Sequence, residues 1–185
     1  MPTVPYITND DLADQKVPAD LVVAIRARRA GGKLLNLDRM LLHSAPIARG
    51  WNIYMGAIRR ELKLSPLLRE LAICAIARLN NAPYEWFQHA PEFLAAGGTR
   101  GQLDALEDIE RAHLNAIAFN GAELATLNLA REMSRNIEVS AATRGAIRAV
   151  LPDQQVVEII ATIASYNMVS RFLVALDITA EGEAG

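Results

Sequence analysis

Residues 64–98 read LSPLLRELAICAIARLNNAPYEWFQHAPEFLAAGG. Ser65-Pro66 is a helix-start signal, a hydroxyl residue at the cap followed by a proline whose fixed φ suits the first helical position. The run that follows reaches Leu79 and carries charge only at Arg69, Glu70 and Arg78. Asn80-Asn81-Ala82-Pro83 breaks it. A second helix is expected from Pro83, capped by Asn81 and bent at Pro91, where one backbone hydrogen bond is lost. Gly97-Gly98 ends it. The stretch is therefore a pair of helices joined by a short break.

The same grammar extends outward. Helices are expected over residues 19–30, stopping at Gly31-Gly32, over 36–44, and from Pro46 through Trp51, Ile53, Tyr54, Ile58 and Leu62. Thr99 and Gln102 have capping-box spacing. Further helical patterns run from Gly121 to Asn136, from Ser140 to about Val150, and from Pro152-Asp153 through Ile160, Ile163 and Phe172 to Leu176. No segment alternates with period two. The fold class expected is all-α, a single-domain helical bundle. Residues 1–18, with Pro2, Pro5 and Pro18, are expected to be an extended arm, and residues 19–180 the helical domain.

Of the 185 residues, 51% are hydrophobic and 22% charged, and the formal net charge is -2, a globular balance without a basic stripe for nucleic acid. Arg26, Arg28, Arg29 and Lys33 are read as a solvated helix face. Cys74 is the sole cysteine, which rules out an internal disulfide and a CxxC redox pair. The N-terminus lacks signal-peptide character, and no uninterrupted apolar run approaches the ~20 residues of a membrane span. A cytoplasmic protein with no membrane partner is expected.

Three residues carry chemical meaning first. Glu70 has Pro66, Leu67, Ile73 and Cys74 as its helical neighbours, so it is set in apolar surroundings that favour its neutral form. The alternative is a buried ion pair with Arg69, Arg78 or another arginine. Glu85 and His89 lie one turn apart with Gln88 and Glu92, while Trp86, Ala90, Phe93 and Leu94 form the opposite stripe. That face is either a solvated polar surface or a carboxylate orienting a general acid–base imidazole. Tyr84 offers a hydroxyl to an oxyanion; Trp86 is core or pocket wall. Glu110-Arg111-Ala112-His113 has Glu-x-x-His spacing, but a di-iron bundle needs two such motifs and two further glutamates. A metal-binding bundle joining Glu85, His89, Glu110 and His113 is the competing arrangement. Cys74 is read as a small core residue rather than a catalytic thiolate.

Leu64–Leu106 resembles the carboxymuconolactone decarboxylase family, which includes alkyl-hydroperoxidase D-like proteins. The resemblance rests on Leu-Ser-Pro-Leu-Leu-Arg-Glu-Leu-Ala-Ile at 64–73, on Asn81-Ala82-Pro83-Tyr84-Glu85-Trp86, on His89, and on Ala95-Ala96-Gly97. Tyr166 to Ile178 is similar in style to the family's last helix. The family's redox branch carries a glutamate, a Cys-x-x-Cys and a histidine at this spacing. Here these positions hold Glu70, Ala82, Glu85 and His89, so thiol peroxidase chemistry has no cysteines to use. The resemblance therefore implies an alkyl-hydroperoxidase D-like bundle of the decarboxylase-like branch, a carbon–carbon lyase needing no cofactor. Its substrate would be a carboxylated γ-lactone or a related carbonyl acid. It also implies roles. His89 donates a proton or stabilises an oxyanion, Glu70 positions His89 or relays the proton, and Tyr84 donates a hydrogen bond. Glu85 tunes His89, Arg78 holds the substrate carboxylate, and Trp86 lines the site. A symmetric homo-oligomer is expected, dimer, trimer or hexamer. The remaining alternative is a non-catalytic ligand-binding or assembly protein on the same fold.

Overall fold

The computed structural model describes residues 1–14 and 16–182, and among them every regular element is helical. The chain divides into two compact units, Met1–Glu61 with Leu173–Gly185, and Leu62–Phe172.

The first unit contains α1 (Asn9–Ala13), α2 (Ala19–Arg28), α3 (Asn36–Leu41) and α4 (Ala45–Arg60). α1 lies inside the stretch expected to be extended. Its single turn forms because Thr8 and Asp11 cap it reciprocally, Thr8 Oγ1 accepting from the Asp11 amide at 3.1 Å and Asp11 Oδ2 from the Thr8 amide at 2.9 Å. Ala30–Gly32 is a 3-10 turn with Gly31 at φ 61°, which ends the α2 region where the two glycines predict. The C-terminal stretch is tied to the N-terminal one: the Thr3 amide donates to the Leu176 carbonyl at 3.0 Å, and the Thr179 amide to the Tyr6 hydroxyl at 3.0 Å. Leu21, Ile25, Met40, Leu41, Met55 and Ile58 are buried. So is Asp38, gripped by Arg29 through Nε at 2.8 Å and Nη2 at 2.6 Å.

The second unit is built around α5 (Pro66–Leu79), packed against α6 (Pro83–Ala95) and α9 (Gly121–Arg135). α7 (Arg100–Ala105), α8 (Ile109–Ala112), α10 (Ala141–Val150) and most of α11 (Asp153–Ala175) complete it. The Thr99–Gln102 capping box and the Ser140 cap form as the sequence predicts. α8 and the 3-10 turn before it were not legible, being single turns without periodicity. Every residue from Glu70 to Ala77 is buried, so the middle of α5 has no solvent face. Full burial of Leu71, Ile73 and Ile76 contributes about 2 kcal/mol apiece.

Both ends of α5 are pinned by side chains from elsewhere in this unit. Glu158 of α11 accepts the Leu64 amide at 2.7 Å, and Arg135 of α9 donates to the Leu79 carbonyl at 2.8 Å. These bonds satisfy backbone groups flanking a helix that has no water to turn to. Asn81 does not cap α6 as expected. It takes a left-handed conformation, φ 49°, and the cap position falls to Ala82. An asparagine tolerates that conformation better than most residues, so Asn81 makes the reversal between the helices. α6 ends at Gly97, φ 102°, with the Gly98 amide returning to the Phe93 carbonyl at 2.9 Å. The Phe93 ring lies where a side chain on Gly98 would project.

By length and apolar content α11 could cross a membrane, but Ile159, Ile163, Tyr166 and Val169 are buried in the protein, as in a core helix.

Candidate active site

α5 and α6 bring an acid and an imidazole together. Glu70 Oε2 lies 2.7 Å from His89 Nδ1, and the two side chains are only 2% and 6% exposed. Arg69 Nε donates to the other carboxylate oxygen at 3.2 Å. The sequence left Glu70 between an arginine pair and a site acid. The structure gives it both contacts, through different oxygens. A carboxylate accepting from Nδ1–H fixes the tautomer and leaves Nε2 as the atom that exchanges protons; it also stabilises the imidazolium that forms when Nε2 takes one. The His89 ring meets the Tyr166 ring edge-on, centroids 5.0 Å apart and planes at 87°. Hydrogen bond and ring contact together hold the imidazole in one orientation.

The Glu85–His89 face is not a solvated surface. Both residues are buried, with exposures of 1% and 5%, whereas Phe87 is 52% exposed. The reason is that the inner side of α6 meets polar groups, Glu70 on α5 and Tyr166 and Ser170 on α11. Of the two carboxyls, it is Glu70 that holds His89 Nδ1. Glu85 instead lies 2.9 Å from Ser170 Oγ through Oε2, while its Oε1 is buried with no hydrogen-bond partner. Burial pushes its carboxyl well above the usual value of 4.5, and a proton donated by Ser170 would bring it down only in part. Its place in the first turn of α6 favours the anion by about 0.3–1 kcal/mol. Leaving a carboxylate buried without a cation costs several times more, so the neutral acid wins.

Arg78 lies over the Trp86 ring, its Cζ 3.7 Å from the centroid. Its Nε is buried without a hydrogen-bond acceptor, and among the described residues no carboxylate pairs with it. Trp86 is half-buried and serves as the platform for this guanidinium. Tyr84 is 4% exposed, next to Glu85 at the start of α6. Cys74 is fully buried, and burial, followed by the Glu70 carboxylate, pushes its thiol well up from the ordinary value.

The metal arrangement does not form: among the described residues no three His, Cys, Asp or Glu side chains gather as a ligand set. Glu110 instead pairs with Arg135. His113 Nδ1 is buried without a partner, and burial lowers that ring's affinity for a proton.

Residues 45–132 match the carboxymuconolactone decarboxylase family. That span, a little under half of the chain, is what this protein shares with the family. Its fold agrees with solved structures of alkyl-hydroperoxidase D-like proteins. An uncharacterized peroxidase-related protein from Silicibacter sp. TM1040 superposes with a TM-score of 0.79 at 18% identity, covering 98% of this chain and 95% of that one. A second, described as an alkylhydroperoxidase AhpD core from Ralstonia eutropha JMP134, gives 0.78 at 18% identity over 98% and 93%. The debrominase Bmp8, solved in complex with 2,3,4-tribromopyrrole, gives 0.75 at 16% identity over 97% and 92%. No curated protein matches in sequence. The family match contains Glu70, Arg78, Tyr84, Glu85, Trp86 and His89, whereas Tyr166 and Ser170 lie outside it. Sequence reasoning did not name those two as site residues. Their signal was a tyrosine and a serine one turn apart in an otherwise apolar last helix.

Proposed function

We propose that this family member is a cofactor-independent carbon–carbon lyase, a decarboxylase acting on a carboxylated γ-lactone or related carbonyl acid, with residues 19–180 as its working domain. The observation that carries the reading is the buried 2.7 Å contact between Glu70 and His89, which makes an imidazole able to move a proton without a metal or a thiol.

In the proposed reaction the bond between the ring carbon and the leaving carboxylate breaks. Carbon dioxide departs, and the bonding electrons pass into the lactone carbonyl as a dienolate. Arg78 holds a substrate carboxylate through a guanidinium that no carboxylate among the described residues occupies. Tyr84 donates to the developing oxyanion. His89, protonated at Nε2, delivers the proton to carbon and is reprotonated from water, while Glu70 stabilises the imidazolium before transfer. The fold is shared with a debrominase, but a thiolate route to halogen removal has only the buried, protonated Cys74 to offer.

The test is incubation with 4-carboxymuconolactone. Falling ultraviolet absorbance with release of carbon dioxide is the expected result. Turnover undiminished in His89→Ala would end the assignment of His89.

A further inference from the structure

We propose that Glu85 is stored as a neutral carboxylic acid that donates its proton toward Ser170 at rest and is the second proton-holding group of the site. This deepens the lyase reading and rests on it for the catalytic part of its role.

The argument is a count of hydrogens. Ser170 Oγ lies 2.9 Å from the Tyr166 carbonyl one turn back in α11, and 2.9 Å from Glu85 Oε2. A serine hydroxyl has one proton. A carbonyl oxygen carries none, so the bond to Tyr166 must be donated by Ser170. The hydroxyl then turns a lone pair toward Glu85 Oε2. Two lone pairs at that distance repel unless the carboxyl supplies the missing hydrogen. Glu85 as an acid satisfies both contacts at once; Glu85 as an anion satisfies one.

The surroundings agree. Among the described residues no cation pairs with Glu85, and Oε1 has no donor pointed at it. A neutral carboxyl leaves one weak acceptor unmade there, whereas an anion would leave a charge unsolvated. The direction in which burial moves this group is the same.

The arrangement gives the two carboxyls of the site opposite tasks. Glu70 has a guanidinium and an imidazole as partners and is fit to be the anion. Glu85, one turn before His89 on α6, has a hydroxyl and is fit to be the acid. Tyr166 links the two, its ring on His89 and its carbonyl on Ser170. A reaction that loses carbon dioxide and then protonates carbon consumes one proton per turnover, and Glu85 is a second store of that proton beside His89.

Infrared difference spectroscopy at neutral pH reads the protonation state without a substrate. The wild-type protein is expected to show the carbonyl stretch of an un-ionised carboxylic acid, shifting in heavy water, present in Glu70→Gln and absent in Glu85→Gln. Ser170→Ala, which perturbs folding least, is expected to move that band without removing it, because the acid loses its acceptor but keeps its proton. Absence of the band in wild type, or its survival in Glu85→Gln, overturns the proposal. With 4-carboxymuconolactone, Glu85→Gln is expected to lower kcat at least tenfold with KM little changed; full turnover in that variant overturns the catalytic role. If wild type shows the band but does not turn the lactone over, the neutral acid stands and the lyase reading falls.

Discussion

Asp38 and Glu70 are both carboxylates at the bottom of a folded unit, 0% and 2% exposed at the side chain, and both touch an arginine. They differ in what completes the set. Asp38 takes two bonds from Arg29, lies 3.7 Å from Arg28 and accepts the Leu35 amide at 2.9 Å. All its partners keep their protons, and even with burial lowering it the Arg28 guanidinium releases one only at about 10. Glu70 takes a single longer bond from Arg69 and gives its best contact, 2.7 Å, to an imidazole. An imidazole gains and loses a proton near neutral pH. Equal burial thus yields a structural clamp in one unit and, on the proposed reading, a proton-moving pair in the other, and the titratability of the partner decides which.

The sharpest way to break this comparison is His89→Ala. It should lower kcat on the lactone by about 10²–10⁴-fold per folded molecule, measured by carbon dioxide release, beyond any loss of stability from the cavity it leaves. Asp38→Ala should do the reverse. It leaves two guanidiniums without their anion and should cost about 3–5 kcal/mol in chemical denaturation, with the rate per folded molecule intact. Comparable losses of rate in the two variants would erase the distinction. Glu70→Gln keeps the shape but cannot hold an imidazolium, and should slow turnover about 10²-fold.

Smaller effects sharpen the picture of α6. Gly98→Ala places a Cβ 2.2 Å from the Phe93 ring and should destabilise by about 1–3 kcal/mol, read as a lower melting temperature. Last is a dependence on pH. Because Glu85 is raised in the folded state, its contribution to stability is complete below the ordinary carboxyl value of 4.5, where folded and unfolded chains both keep the proton. It is lost as pH climbs through the window up to the folded value, since the unfolded chain ionises first. Glu85→Gln should flatten that fall when melting temperatures are compared from pH 5 to 8; an unaltered slope would assign the dependence elsewhere.

Much of the helical layout was legible because it is written locally. Ser65-Pro66, Thr99 with Gln102, Ser140 and Gly97-Gly98 each start or stop a helix through backbone chemistry within four residues. The pairing of Glu70 with His89 was legible at one remove, from an acid buried in an apolar helix and an imidazole on the next. What escaped depends on helices distant in the chain. Nothing near Glu85 announces Ser170, and nothing near Asp38 announces how Arg29 folds back upon it. That Glu85 turns to Ser170 escaped for the same reason: helical spacing tells which residues share a face, but not which neighbour reaches an atom first. Asn81 was misread because capping and left-handed turns favour the same residue type.

Cys74 has one more use. Seated in the middle of a helix pinned at both ends, its thiol can meet a labelling reagent only when α5 opens. The natural sequence therefore contains a single reporter of core opening. Its rate of modification under native conditions would measure how often the innermost layer of the protein breathes, with no engineered probe.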